Sequence, residues 1–212
     1  MSPKIVDKTE KRKQIGLSAL SYFAENGIVS VSMRQVAHAV GIGKGTIYEY
    51  FTSKDELIAY AMEMYVETIE EKVSELLDGV KNPKDRLIQY TKSILDHITN
   101  DPKTAGILFA IFQLLISKQC DQNQNTNLKK MFSQARRTIA GILKEGFAAG
   151  NFNEKADTEA ELIATDLIAY LDGILLHSLV SDDIDLRKQV DRYVESLLLN
   201  LKPTKANKNN II

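Results

Sequence analysis

Between Val31 and Leu57 the chain reads VSMRQVAHAVGIGKGTIYEYFTSKDEL, and no other stretch narrows the possible folds so far. Ser32 is followed three residues on by Gln35, and Ser53 three residues on by Glu56; each pair has the spacing of a capping box that opens a helix. Gly41 lies between them, where a helix end calls for a left-handed residue. Val36, Ala37 and Val40 form the apolar face of a first short helix. Ile42 plugs the turn. A second helix runs from about Gly43 to Tyr50, with Ile47 and Phe51 four apart on its inner side. Lys44, Thr46 and Tyr48 then point away from the core. Two short helices joined through a glycine turn cross at a steep angle, so the spacing predicts a helix-turn-helix.

Such a motif sets its second helix in the DNA major groove, N-terminal residues nearest the bases. The outward residues suit that task. Lys44 brings charge, Thr46 and Tyr48 bring hydroxyls, and Gly45 allows close approach to a sugar-phosphate backbone. Lys54, in the first turn of the helix opened by Ser53, adds a cation to a helix N-terminus, a ready phosphate clamp. Val36-Ala37, Gly41-Ile42-Gly43, Gly45-Thr46-Ile47-Tyr48-Glu49-Tyr50-Phe51 and Lys54-Asp55-Glu56-Leu57 follow one another without a gap. This order resembles the N-terminal DNA-binding domain of the TetR family of bacterial transcription regulators. The family pattern is an Ile-Ala pair, a Gly-Val-Ser turn, Gly-x-Leu-Tyr-x-Tyr-Phe and Lys-Glu-x-Leu. Gly43 departs from it, standing where a Ser commonly caps the recognition helix; a glycine cap costs only a few tenths of a kcal/mol.

The resemblance implies roles. Arg34 and the start of the second helix, Lys44 to Thr46, would read bases. Tyr48, Tyr50 and Lys54 would hold the phosphate backbone, which positions without specifying. Glu49 would repel phosphate and is expected to turn aside; accepting from a cytosine amino group is its other reading. The bland alternative is a surface helical hairpin with ordinary polar residues. Charge distribution weighs against it. Residues 1–54 carry eight Lys/Arg against four Asp/Glu, whereas the remainder carries 19 against 24 within an overall charge of −1. A basic head on an acidic body fits a protein that meets phosphate at one end.

The rest of the chain reads as helices. Residues 1–7 are expected to fray. The Lys/Arg cluster at 8–13 opens a helix with Ile15, Ala19, Leu20, Tyr22 and Phe23 on its inner side, stopped at Asn26-Gly27. For Lys11, Arg12 and Lys13, a solvated helix end and a phosphate contact stand level. A long helix follows Ser53 to about Asp78-Gly79, striped by Leu57, Ala61, Met64, Tyr65, Ile69, Val73, Leu76 and Leu77. At ~1.5 Å per residue it covers about 35 Å, enough to act as a lever. Asn82-Pro83 opens a helix to about Asn100, and Asp101-Pro102 another to about Lys118. Asp121 to Asn127, polar and Asn-rich, is expected to be a loop. Leu128 to Ala149 is helical. Thr158 with Glu161 offers a capping box for a helix to about Val180, and a last helix runs from about 185 to Leu201. The tail 203–212 is expected to be disordered. No strand pattern or repeat appears, and about nine helices result.

Several chemistries lack support. His38, His97 and His177 share no ligand spacing with Cys or acidic neighbours, so no metal site is expected. No HExxH, P-loop or GxSxG occurs, and neither an enzyme nor a cofactor is expected. The single Cys120 excludes an internal disulfide and fits a reducing compartment; its plain reading is a structural thiol. Lys4, Asp7, Lys8 and Glu10 interrupt any apolar start, and the run Ala105 to Ile116 is too short to span a membrane. A cytoplasmic protein that meets no membrane is the expectation.

Tyr65, Tyr90, Phe109, Phe112, Met131 and Phe132 read individually as core packing. Collectively they could line an apolar pocket, and the resemblance implies one that holds a small effector. Leu162, Ile163, Leu167, Ile168, Leu171, Ile174, Leu175, Leu176 and Leu179 spread around their helix more widely than one buried face needs. Gly173 and Ala169 would permit close helix approach. The resemblance implies that the last two helices pair with their copies in a homodimer. The expected architecture is therefore all-α: a helix-turn-helix head (1–52) and a regulatory, dimerising body (53–202). The expected function is a ligand-responsive regulator of double-stranded operator DNA, a repressor released by a small apolar or amphipathic effector. The rival is a helical small-molecule-binding or catalytic protein whose head no longer binds DNA.

Overall fold

Helix caps visible in the chain begin or end most of the helices in the computed structural model, which describes residues 7–100, 106–107 and 122–203. Nine helices and no strand occur among the described residues: α1 (Lys8–Asn26), α2 (Met33–Ala39), α3 (Lys44–Tyr50), α4 (Lys54–Leu77), α5 (Pro83–Asn100), α6 (Gln122–Ala148), α7 (Lys155–Thr158), α8 (Ala160–Ser178) and α9 (Leu186–Asn200). The fold is all-α, as the periodicity predicts. Asp7 caps α1 by accepting from the Thr9 N–H at 2.9 Å. Gly27, at φ 81°, ends α1. Asn82 accepts from the Lys84 N–H at 2.9 Å and places Pro83 first in α5.

The described residues fall into two compact units. One lies within Met1–Lys72 and His97–Lys130, the other within Val73–Asp96 and Met131–Ile212. In the first, Ile15, Leu20 and Phe23 of α1, Val36 of α2, Ile47 of α3, Phe51, and Leu57 and Ile58 of α4 are all buried. Small helices can bury little each, so their largest side chains must be buried almost completely.

The second unit has one apolar core. Leu87, Tyr90 and Leu95 of α5 meet Ile139, Ile142 and Leu143 of α6, Ile163 and Leu167 of α8, and Val190 and Val194 of α9. Gly146 lets Phe152 lie flat on α6, because a Cβ there would fall 2.0 Å from the ring. Asn153 then closes the end of α9. Its Nδ2 donates to the Asn200 carbonyl at 2.8 Å, and its N–H donates to the Leu201 carbonyl at 2.9 Å. Tyr170 of α8 stacks on Tyr193 of α9 at 3.8 Å and donates its hydroxyl to the Gln189 carbonyl at 3.0 Å.

Three expectations need correction. The stretch read as a loop, Asp121 to Asn127, is helical from Gln122 onward as the start of α6. Asn is a mediocre helix former rather than a breaker, and its weak preference yields to the amphipathic helix that follows. The helix expected from 158 begins at Ala160 as α8, and a separate short helix, α7, precedes it. Thr158 is no cap: its Oγ1 donates back to the Glu154 carbonyl at 3.1 Å, and Glu159 precedes α8 without any side-chain cap. A threonine one turn into a helix can satisfy its hydroxyl on its own backbone, which removes it from capping. Leu76, placed on the inner stripe of α4, is 44% exposed. The helix expected over 102–118, apart from residues 106 and 107, and Cys120 lie outside the described residues, as do residues 1–6 and 204–212.

Candidate nucleic-acid interface

The α2–α3 hairpin is built from backbone bonds whose causes are local. Ser32 and Gln35 cap each other reciprocally, with the Ser32 N–H donating to Gln35 Oε1 at 2.9 Å. At the other end of α2, Gly41 takes φ 74°. The Ile42 N–H reaches the Ala37 carbonyl at 2.9 Å, and the Gly41 N–H reaches the His38 carbonyl at 3.1 Å. This pair of bonds is the Schellman arrangement that a C′ glycine makes possible. Gly43 starts α3 at φ −69° with no side-chain cap. Phe51 ends it, fully buried.

Ile47 is the one buried residue of α3. Around it, Lys44, Gly45, Tyr48 and Glu49 are exposed, and Thr46 and Tyr50 are half-buried. Tyr48 is 45% exposed, a high value for an aromatic side chain. A Cβ built on Gly45 would meet nothing within 4 Å, so no internal contact of the protein demands a glycine there. Arg34 is exposed in the first turn of α2. The predicted contact residues thus lie on α2, α3 and the start of α4, with nonpolar anchors beneath them.

Lys54 is half-buried, and its Nζ donates to the Val29 carbonyl at 3.3 Å. Burial pushes its ammonium below the ordinary lysine range, with Asp55 opposing. One of three donors is thereby committed to the α1–α2 connection, and two stay available to an anion. Ser53 caps α4 by accepting from the Glu56 N–H at 3.1 Å. The return half of that box differs from the expectation. Glu56 Oε2 accepts from the N–H and the hydroxyl of Thr52, both at 2.7 Å, and Oε1 accepts from Arg12 Nη2 at 2.7 Å. The Thr52 hydroxyl, then its N–H, and more weakly Arg12 hold the Glu56 carboxyl below the usual carboxylate range. Sequence reasoning missed this cluster, because no spacing rule joins residues 12 and 56.

The residues proposed for an effector are distributed differently. Tyr65 is buried in the first unit, its hydroxyl 3.3 Å from His97 Nε2. Tyr90 belongs to the core of the second unit, where burial pushes its phenol up to about 12. Phe132 is half-buried; Phe109, Phe112 and the side chain of Met131 lie outside the described residues. Among the described residues, no group of His, Cys, Asp and Glu could hold a metal ion, and no helix is long and apolar enough to cross a membrane.

Residues 17–61 match the bacterial regulatory proteins of the tetR family. The HTH-type transcriptional regulator PksA of Bacillus subtilis is 25% identical over 92% of this chain and 93% of its own length. The HTH-type transcriptional repressor KstR2 of Mycolicibacterium smegmatis is 22% identical over 70% of this chain and 71% of its own. The solved structure of the fatty acid degradation regulator FadR from Bacillus halodurans superposes with a TM-score of 0.73 at 21% identity, covering 89% of this chain and 94% of that one. A capped hairpin with an exposed polar second helix, the match across it and the shared all-helical architecture agree: residues 17–61 are a DNA-binding segment of the tetR-family type, and the chain is similar to transcription regulators of that family.

Proposed function

We propose that this regulator is a cytoplasmic repressor that grips a palindromic operator as a homodimer and releases it when a small apolar or amphipathic effector binds. Residues 1–52 form the DNA-binding head in this reading, and residues 53–202 form the body that binds the effector and dimerises. One observation carries it: α3 spends a single residue, Ile47, on the core and leaves Lys44, Gly45, Tyr48 and Glu49 to the outside. Relatives named repressors support the sign of regulation. Arg34 and Lys44 to Thr46 read bases, and Tyr48, Tyr50 and Lys54 hold phosphates. The effector couples to DNA through α4, one unbroken helix that carries Lys54 in its first turn and Tyr65 further along. A coupling of about 1–3 kcal/mol would release DNA 5–150-fold.

The test uses a duplex selected by the wild-type protein from random-sequence DNA, with binding followed by fluorescence anisotropy at several salt concentrations. Tyr48→Ala and Lys54→Ala weaken binding to every sequence, the lysine variant with a salt slope smaller by about one unit. Arg34→Ala costs about 1–3 kcal/mol and relaxes the sequence preference. Unchanged affinity in all three variants overturns the assignment and favours the rival, a helical binding protein with an idle head. A ligand that binds by calorimetry yet leaves operator affinity untouched overturns the release step.

A further inference from the structure

We infer that Arg12 is a positioning residue for the recognition helix, and that it acts through Glu56, Phe51 and Tyr60 rather than by touching DNA. The inference rests on the reading of α3 as the recognition helix. Arg12 lies in the first turns of α1, yet it bonds Glu56 and lies against Phe51 and Tyr60, where α3 gives way to α4. Its Nη2 donates to Glu56 Oε1 at 2.7 Å. Its guanidinium carbon sits 4.4 Å from the centroid of the Tyr60 ring and 5.0 Å from that of Phe51. The two rings lie 5.5 Å apart, tilted by 55°. Its Nε is buried without a hydrogen-bond partner. One turn further along the same face of α1, Gly16 lets the helix lie close to Tyr60, because a Cβ there would meet the ring at 3.0 Å.

The consequence concerns the aim of α3. Phe51 is the residue on which α3 ends, its N–H bonded to the Ile47 carbonyl at 3.0 Å. Thr52 joins α3 to α4, and both its donors are spent on Glu56. A rotation of α3 about its axis must therefore move Phe51 against Tyr60 and Arg12 or pull Thr52 from Glu56. The Arg12 guanidinium, in contact with Glu56 and with both rings, opposes both motions. A flat guanidinium can bond a carboxylate along its edge while its face lies on rings; an ammonium cannot do both.

The experiment uses the full-length protein and the fluorescein-labelled duplex selected by the wild type, with a random duplex beside it. Glu56→Gln gives the sharpest contrast. Electrostatics alone says that removing a carboxylate from a DNA-binding head tightens binding. Positioning says the reverse, because the new amide NH₂ must face Arg12 or Thr52, donor against donor. The expected result is affinity for the selected duplex about tenfold weaker, the scale of one lost base contact, with binding to the random duplex no weaker. Arg12→Lys should fall with Arg12→Met in affinity for the selected duplex, with the salt slope as in wild type, all measured below the melting temperature of each variant. Arg12→Lys retaining wild-type affinity, a salt slope smaller by about one unit in Arg12→Met, or unchanged or tighter binding by Glu56→Gln would each overturn the inference. If the wild type selects no duplex, the DNA-binding reading fails first and this inference falls with it.

Discussion

The helices α3 and α8 turn opposite kinds of surface outward. In α3 the single buried residue is Ile47, and the exposed positions are Lys44, Gly45, Tyr48 and Glu49. In α8, Ile163, Leu167 and Leu175 are buried, and still Leu162 is 59% and Leu176 38% exposed, with Leu179 and Val180 exposed just beyond its end. Charged and hydroxyl groups are stable in water until an anion arrives. Exposed leucines on a helix whose other faces are already buried gain by being covered. The two helices differ in how they are held as well. The α2–α3 hairpin is closed by Ser32, Gln35 and Gly41, whereas α8 starts without a side-chain cap and is held by its core contacts. A helix aimed at DNA needs local definition; a helix buried on several sides is defined by what packs on it.

The largest effect is expected from Gly173→Leu in α8. A Cβ at Gly173 meets nothing within 4 Å, so the larger side chain has room within one protomer. Replacing a mid-helix glycine by a good helix former such as leucine even favours the helix, by up to about 0.8–1.0 kcal/mol. In the proposed dimer the same side chain blocks close approach. Sedimentation should show a monomer that melts no earlier than wild type. Operator affinity should fall by about 10²–10⁴, because the second half-site no longer gains from tethering. A variant that stays dimeric breaks the contrast between the two helices, since the α8 surface would then need no partner.

A smaller effect is expected from Asp172, the neighbour of Gly173. Desolvation pushes its carboxyl from the ordinary 3.8 up to about 6. A folded-state pKa above the unfolded value means that the folded protein holds the proton more tightly. The associated stability is full below about 3.8 and is lost as pH rises through about 6. Between pH 7.5 and pH 5 the wild type should gain about 1 kcal/mol from this group. Asp172→Asn should flatten that gain and melt later than wild type at pH 7.5. Parallel pH profiles for the two proteins would show that the α8 surroundings of Asp172 are wetter than its burial suggests.

Legibility followed the same divide. The head could be read almost residue by residue, because its causes lie within four positions of their effects: Ser32 with Gln35, Gly41 with its left-handed φ, Ile47 with Phe51. The body kept its helical periodicity, so α5 and α9 were found, but its boundaries slipped. Thr158 and Glu161 have the spacing of a capping box, yet the chain turns one residue later, at Glu159. The Asn-rich start of α6 looked like a loop because composition was all that could be read there. The Arg12–Glu56–Thr52 cluster was illegible for another reason. It joins residues 44 positions apart, and only the packing of α1 against α4 brings them together.

The smallest effect tests Gly43, which stands where the TetR-family pattern commonly has a serine. Gly43 precedes α3 at φ −69° and ψ 153°, an extended conformation open to any residue, and makes no side-chain cap. Its missing Cβ would lie 3.7 Å from Thr46 Oγ1, an ordinary contact distance. A serine therefore fits without strain, and its hydroxyl can accept from the free N–H groups at the start of α3. Gly43→Ser should stabilise the protein by a few tenths of a kcal/mol, the usual difference between glycine and serine caps. Beside an operator, the same hydroxyl adds a donor near the phosphates. Affinity should rise by about twofold with the sequence preference unchanged, because backbone contacts carry no sequence information. Thermal melts and anisotropy against the selected duplex would measure both. A serine that stabilises the fold but weakens binding would mean that DNA approaches the start of α3 too closely for any side chain at 43, and would turn the glycine from a permissive cap into a requirement of the interface.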